Sequence, residues 1–422
     1  MHSTRARPGT RTPVYCPHFG PCGGCQLLDV AYGAELERKE QLLQRLFAQS
    51  QALQDVQLLS ILPARWPLFW RTALKVPFGR LRGRCVVGFF RPGTHRIVDL
   101  RTCVVQDRRL VDLVLATRAW VDELGVSVYD EGEHGGVLRH LVARVACGTK
   151  EWIAGLVVRE GGTARVGALA RRIWERFSRR GMVGVVENIN PERTNVILGP
   201  RTRRLAGRTW LDEQADGLRF RTSLGSFAQA NNAQAAVLYA EVVRLLGDVR
   251  ERRIVELYAG YGPIGLRLAR AGARVVAIDR NPQAVREGTD AARLNGLEAR
   301  VTFIAAEAEP GLAELERGGT APAGEETGHE PVDAVVVDPP RRGLTSGVIT
   351  RLRRMDFSTM VYVSCNPVTL VRDLELLAPD FVVRSVRPVD LFPRMEQVET
   401  VALLERRGAA AAGPSGSPAA TA

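Results

Sequence analysis

The stretch VELYAGYGPIGLRLA, Val255 to Ala269, runs as an apolar strand past Glu256, turns through Gly260, Gly262 and Gly265, and enters a helix. Glycines at a strand-to-helix turn let backbone approach a bound group closely. On the N-terminal side lies a helical pattern, AQAAVLYAEVVRLLG. On the C-terminal side the strands ARVVAIDR, VTFIAA, VDAVVVDPP and MVYVSC alternate with helical segments. Such alternation predicts an α/β fold with a mostly parallel sheet covered on both faces.

Asp279 closes the strand RVVAID seventeen residues past Gly262, where a carboxylate can accept hydrogen bonds from both hydroxyls of a ribose. These parts suit a dinucleotide or S-adenosylmethionine. Asp338, Pro339 and Pro340 follow a later strand, on the carboxyl rim where open α/β sheets bind ligands. A di-proline can form a wall against a flat nucleobase, or it can simply end a strand.

Cys365, in VYVSCNPVTLVRDL (Val361–Leu374), lies on the same rim one strand further on. A thiol used as filler would serve equally well inside the strand. Here it sits where the chain leaves the sheet, which makes it a candidate nucleophile. Carbon 5 of uracil is too weak a nucleophile to take a methyl group from a sulfonium directly. A thiolate adding to carbon 6 generates an enolate that can, and the hydrogen on carbon 5 must then be removed by a general base. DLFPRMEQVETVALLER, Asp390 to Arg406, offers Glu396 and Glu399, the latter just before a final apolar strand. Either glutamate taken alone reads as a solvated surface group.

CPHFGPCGGC places Cys16, Cys22 and Cys25 with five and two intervening residues, a spacing that suits an iron-sulfur cluster or zinc, each needing a fourth ligand. The radical S-adenosylmethionine triad has a different spacing. Seven cysteines without an export signal argue for thiols in metal binding or catalysis and against a disulfide framework. The next segment, ELERKEQLLQRLFAQ, carries Leu36, Leu42, Leu43, Leu46 and Phe47 at helical spacing.

The net charge of +12 rests almost wholly on arginine, since Lys39, Lys75 and Lys150 are the only lysines. That favours phosphate-bearing partners, although a spread-out excess also describes an ordinary wet surface. No apolar run is long enough to cross a bilayer, and MHSTRARPGTRTP lacks the apolar middle of a secretory signal, so a cytoplasmic location is expected.

Five segments are expected: a disordered basic arm over 1–15; a cysteine segment and helix over 16–50; a mixed α+β domain over 51–215; a Rossmann-like domain over 216–407, interrupted by a surface excursion at 317–331; and a disordered tail over 408–422. In the α+β domain ALKVPFG, CVVGFF, RHLVARVAC, EWIAGLVVRE and TNVILG read as strands, and 108–123 and 165–180 as helices. FWRTALKVPFGRLRGR, Phe69 to Arg84, interleaves aromatic and basic groups; it reads equally as an RNA contact and as a strand with one wet face.

SCNPVTLVRDL, VVDPPRRGL and GSFAQANNAQA, in addition to the cysteine cluster, resemble the motifs of the class I S-adenosylmethionine-dependent RNA uracil-5 methyltransferases, the iron-sulfur-containing enzymes that make 5-methyluridine in transfer RNA and 23S ribosomal RNA. The resemblance spans Cys16 to about Arg406. It implies Cys365 as nucleophile and Glu399 as proton acceptor. Gln229, Tyr258, Gly260, Gly262, Gly265, Asp279, Glu307 and Asp338 are then implied around S-adenosylmethionine. It also implies a four-iron, four-sulfur cluster in preference to zinc on Cys16, Cys22, Cys25 and Cys103, leaving Cys85 and Cys147 as buried structural thiols. The substrate is expected to be an unstacked uridine, with 23S ribosomal RNA ahead of transfer RNA, acted on by a monomer with no obligate protein partner. Arg341 and Arg342 are better placed for substrate phosphate, although they read also as a plain surface pair.

Two departures stand out. The family's closing motif has Thr and His where this chain has Met395 and Gln397, and only fifteen residues precede Cys16, so RNA binding is expected without a TRAM domain. Rival readings are an RNA cytosine-5 methyltransferase, which would commonly carry a second cysteine beside the di-proline, and an iron-sulfur RNA-binding or remodelling protein in which methylation is secondary or lost.

Overall fold

The computed structural model describes residues 14–317 and 331–408. The expected arm, surface excursion and tail lie, but for their edge residues, outside the described residues. After the cysteine segment come α1 (Tyr32–Ala48) and the short strand β1 (Gln57–Leu58). Then follow β2 (Ala73–Leu81), β3 (Arg84–Phe90), β4 (Ile97–Asp99), α2 (Arg108–Glu123), β5 (Leu138–Val145), β6 (Trp152–Val158), α3 (Ala164–Phe177), β7 (Met182–Ile189) and β8 (Arg201–Gly207). These strands form one sheet in the order β4-β3-β2-β5-β6-β7-β8. Its buried face packs on α2 and α3 through Leu110, Leu113, Leu169 and Ile173.

Two expectations for this region differ from the structure. TNVILG is not a strand, because side chains satisfy its backbone: Asn188 Nδ2 donates to Gly199 O at 3.0 Å, and Asn190 Nδ2 donates to Val196 O and Ile197 O at 2.7 and 3.0 Å. The edge strand is the arginine-rich β8 instead, paired antiparallel with β7. Cys147 is exposed, in the turn between β5 and β6, whereas Cys85 is buried.

A hairpin of β9 (Trp210–Ala215) and β10 (Leu218–Ser223) leads into α4 (Asn232–Leu246). The second sheet is built from β11 (Arg253–Leu257), α5 (Gly265–Arg270), β12 (Arg274–Asp279), α6 (Pro282–Leu294), β13 (Val301–Ala305), α7 (Ala308–Glu316), β14 (Ala334–Val337), α8 (Ser346–Arg354), β15 (Thr359–Ser364), α9 (Pro367–Leu377), β16 (Phe381–Val389) and β17 (Glu399–Arg406). The strand order is β1-β16-β17-β15-β14-β11-β12-β13. Strands β11 to β15 pair in parallel, and β17 runs antiparallel between β15 and β16. All four residues of β14 are buried, as an interior parallel strand covered on both faces requires.

One face packs on α1, α7, α8 and α9, the other on α4, α5 and α6. β1, although it precedes the first sheet in sequence, pairs in parallel with β16 in the second. Among the described residues no helix is long and apolar enough to cross a membrane.

Candidate active site

Parallel strands that share a sheet end on a common rim, and the functional side chains collect there. Tyr258 follows β11, Asp279 ends β12, Glu307 follows β13, Asp338 follows β14 and Cys365 follows β15. Because β17 is reversed, it begins where the others finish, so Glu399 opens onto the same rim. These six residues, with Gln229 and Gly260, line one cleft of about 510 Å³, within the range of small-molecule sites.

The two remaining predicted donor residues are not lining groups. Gly262 has φ 76°, and a Cβ there would lie 2.5 Å from the Phe303 ring. Gly265 abuts the Glu256 carboxylate, leaving no room for a side chain. Both serve the packing of the turn. Sequence reasoning missed Phe227, Asn281 and Phe392 as lining groups. Each carried a local signal: Phe227 and Phe392 lie in GSFAQANNAQA and DLFPRMEQVE, and Asn281 follows Asp279 by two residues and caps α6.

Asp279 is held at both oxygens: Gly260 N donates to Oδ2 and Asn281 N to Oδ1, each at 2.8 Å. Tyr258, a non-glycine residue at φ 61°, occupies the sparsely populated left-handed region typical of functional turns.

Cys365 leaves β15 one residue past the Ser364–Thr400 pair, and Glu399 enters β17 one residue before it. Desolvation, reinforced by the Glu399 and Asp338 carboxylates and opposed by Arg341, pushes the Cys365 thiol up to about 11. Desolvation also pushes Glu399 up to about 8, with Asp338 adding to the shift and Arg341 opposing it. Desolvation alone lifts Asp338 to about 7. Near neutrality and without ligand Cys365 and Glu399 are therefore mostly protonated and Asp338 is in mid-titration, and a bound cation would draw these three groups toward their ionised forms.

Arg341 sits on a braced loop. Asn366 Nδ2 and Thr369 Oγ1 donate to its carbonyl at 3.0 and 3.1 Å, and Arg372 Nη2 donates to Arg342 O at 2.8 Å. The braces come from the start of α9, which Asn366 caps by accepting from Val368 N at 3.2 Å. The helix N-terminus directly after Cys365 favours a thiolate there. Of the two departures in the closing motif, Gln397 lines the cleft, whereas Met395 turns away and packs with Trp70 and Val105.

Cys16, Cys22, Cys25 and Cys103 line a separate recess with Arg71. Burial pushes Cys25 up to about 12, with the other three thiols adding to the shift and Arg71 opposing it. Arg71 Nε is buried without a hydrogen-bond partner; burial lowers the guanidinium's pKa, and Cys25, Cys103 and Cys22 oppose that shift. Among the described residues no three His, Cys, Asp or Glu side chains are grouped to hold a single metal ion.

The tRNA (Uracil-5-)-methyltransferase family matches residues 208–407. An uncharacterised RNA methyltransferase of Gloeobacter violaceus is 36% identical over 398 residues, covering 94% of this chain and 83% of that one. Another, from Halalkalibacterium halodurans, is 32% identical over 396 residues, covering 94% and 84%. Among solved structures, the tRNA (uracil-54, C5)-methyltransferase of Pyrococcus abyssi in complex with S-adenosyl-L-homocysteine superposes with a TM-score of 0.71 at 25% identity, covering 91% of this chain and 86% of that one. This chain belongs to the tRNA (uracil-5-)-methyltransferase family, S-adenosylmethionine-dependent RNA methyltransferases of the EC 2.1.1 class.

Proposed function

We propose that this enzyme methylates carbon 5 of a uridine in RNA through a covalent bond between Cys365 and carbon 6. The observation that carries the reading is the apposition of Cys365 and Glu399 on adjacent strands in the cleft that also holds Asp279. When bound there, S-adenosylmethionine supplies a methyl group from its sulfonium. Asp279 is set to take the ribose hydroxyls, with Gln229, Tyr258, Gly260, Glu307 and Asp338 around the rest of the donor.

Cys365, as thiolate, adds to carbon 6, and the ring electrons move to carbon 5 and the oxygen on carbon 4. Carbon 5 then takes the methyl group. Glu399, as carboxylate, removes the proton left on carbon 5. The electrons of that carbon–hydrogen bond restore the ring double bond, and Cys365 departs with the electrons of its bond to carbon 6. Near Cys365, Arg341 favours the thiolate electrostatically. The base must leave its stack to enter, so the substrate is a loop or a flipped nucleotide.

The test is trapping with 5-fluorouridine-substituted RNA, in which carbon 5 carries fluorine where the base expects a proton. A denaturant-stable adduct on the peptide containing Cys365 is expected, and its absence, or product formation by Cys365→Ser, overturns the mechanism. Glu399→Gln is expected to lower turnover by ~10²–10⁴-fold, the scale of general-base catalysis.

Within RNA, 23S ribosomal RNA is the first reading, although the motifs name no particular RNA. Similarity to the Pyrococcus abyssi enzyme, named for uracil 54 of tRNA, favours transfer RNA as the second. Mapping 5-methyluridine in both RNAs from cells with and without the gene decides between them.

For the cysteine recess the proposed occupant is a four-iron, four-sulfur cluster held by Cys16, Cys22, Cys25 and Cys103. Four thiols around one recess suit such a core, and Arg71, whose buried Nε has no hydrogen-bond partner, suits its negative charge. The methyl transfer needs no electron from it.

A further inference from the structure

The loop Asp390–Val398 joins β16 to β17 and delivers Glu399, and it is gripped by a set of buried charges that the chemistry above does not use. Glu35, Lys39, Asp390 and Arg394 are at most 2% exposed. Lys39 Nζ donates to Glu35 Oε1 at 2.9 Å, to Asp390 Oδ1 at 2.6 Å and to Phe392 O at 3.2 Å, using all three of its protons. The Tyr32 hydroxyl donates to Asp390 Oδ2 at 2.5 Å and accepts from Ala64 N at 2.8 Å. Arg394 N donates to Glu35 Oε1 at 2.7 Å, and Arg394 Nη1 donates to Val30 O at 2.9 Å.

The grip continues into the cysteine segment. Gln26 N and Leu27 N, directly after Cys25, both donate to Arg394 O, at 3.1 and 3.2 Å. Arg71 Nη2 reaches Met395 Sδ at 3.1 Å, and Asn231 Nδ2 donates to Leu391 O at 3.0 Å.

Two acids and two bases cancel in charge, so the cluster is electrically closed. Buried ion pairs of this kind add little stability over apolar packing, and their best-attested role is to fix one arrangement. What they fix here is the loop whose Phe392 and Gln397 line the cleft and whose last step is Glu399. Val389, immediately before Asp390, is the β16 partner of Glu399.

We propose that Tyr32, Glu35 and Lys39 of α1 are positioning residues for the catalytic base: through Asp390, Phe392 and Arg394 they set the loop that presents Glu399, and so govern the departure of Cys365 from the methylated ring rather than the binding of donor or RNA. This rests on Glu399 being the group that takes the carbon 5 proton. A base displaced by about an ångström loses ~10²-fold in rate, while addition of Cys365 and methyl transfer precede its action.

The test uses the full chain, S-adenosylmethionine and RNA isolated from cells lacking the gene. Tyr32→Phe, Asp390→Asn, Lys39→Gln and Lys39→Arg are compared with the parent and with Glu399→Gln. Expected for the first three are parent-like donor affinity and first-turnover methyl transfer, a fall in steady-state turnover at unchanged KM for RNA, and accumulation of a methylated, denaturant-stable RNA adduct on Cys365; Lys39→Arg restores release. Tyr32→Phe keeps all four charges, so it reports even if Lys39→Gln fails to fold. Parent-like turnover in all variants, or a first-turnover loss equal to the steady-state loss without adduct, overturns the proposal. If Glu399→Gln itself accumulates no adduct, the assignment of the base has failed instead.

Discussion

The hydroxyl of Thr400 donates to the carbonyl of Ser364 across 3.1 Å, buried between β15 and β17. That bond ties the two strands together one residue from Cys365 on one side and one residue from Glu399 on the other. Thiol and carboxyl, 34 residues apart in sequence, are thereby held as cross-strand neighbours, and the carboxylate helps to raise the thiol.

The first prediction concerns that perturbation. Glu399 and Asp338 both help to hold the Cys365 thiol up at about 11, and Arg341 opposes them. Glu399→Gln and Asp338→Asn each remove a negative charge and should shift the pH midpoint of Cys365 alkylation by iodoacetamide downward. Arg341→Ala should shift it upward. Midpoints that do not move in these directions would show that the three groups do not act on the thiol.

Stability should fall as pH rises. Burial raises Glu256 and Glu399 from 4.5 to about 8 and Asp338 from 3.8 to about 7. The folded state holds these protons more tightly than the unfolded chain does. The stability they contribute is complete below about pH 4 and is lost as pH climbs through 7 to 8. Thermal melting of the ligand-free protein from about pH 5 to about pH 9 should show a falling midpoint. S-adenosylmethionine, a cation, should raise the midpoint more than S-adenosyl-L-homocysteine does, by a margin that grows across that window. An equal margin at every pH would remove the link to Asp338 and Glu399.

Gly343 is the point at which the Arg341 loop is most exposed to mutation. It sits at φ 76°, and an added Cβ would lie 2.5 Å from Arg372 Nη2 and against the Asp373 carboxylate. Asp373 also takes Leu344 N at 2.8 Å and the Tyr362 hydroxyl at 2.6 Å, so it cannot yield. Gly343→Ala should cost about 1–3 kcal/mol in denaturant unfolding and lower turnover more than donor affinity.

Anaerobically isolated protein should contain iron and acid-labile sulfide in equal amounts, and Cys103→Ala should lose both. Arg71→Gln should retain the four thiols yet release iron faster in air, because the guanidinium that lines the recess beside them is gone. Zinc without sulfide in the parent would replace the cluster assignment.

The rim was legible in the sequence because each strand ends in a chemically conspicuous residue, and parallel strands carry their ends to one edge. Asp338 and Cys365 needed only that rule, Asp279 needed its spacing from the glycine turn as well, and Tyr258 came from the family resemblance. α1 was not legible in the same way. Its leucines read as an amphipathic stripe, yet its buried residues are Tyr32, Glu35, Lys39, Leu43 and Phe47. Hydrophobic periodicity assigns charge to solvent, and nothing local indicates that Asp390 and Arg394, more than 350 residues away, complete a neutral group. The loss of TNVILG as a strand and the appearance of β8 have the same origin: asparagine side chains substituted for a backbone ladder, and arginines masked an edge.

The insertion of β17 between β15 and β16 has a bearing on biosynthesis. A nascent polypeptide emerging from the ribosome has made both flanking strands before their shared neighbour exists. It therefore carries two raw sheet edges until the final segment threads in. Cys365 and Glu399 meet only at that moment, so messages cut short before Glu399 yield products that are sticky and hold only part of the rim.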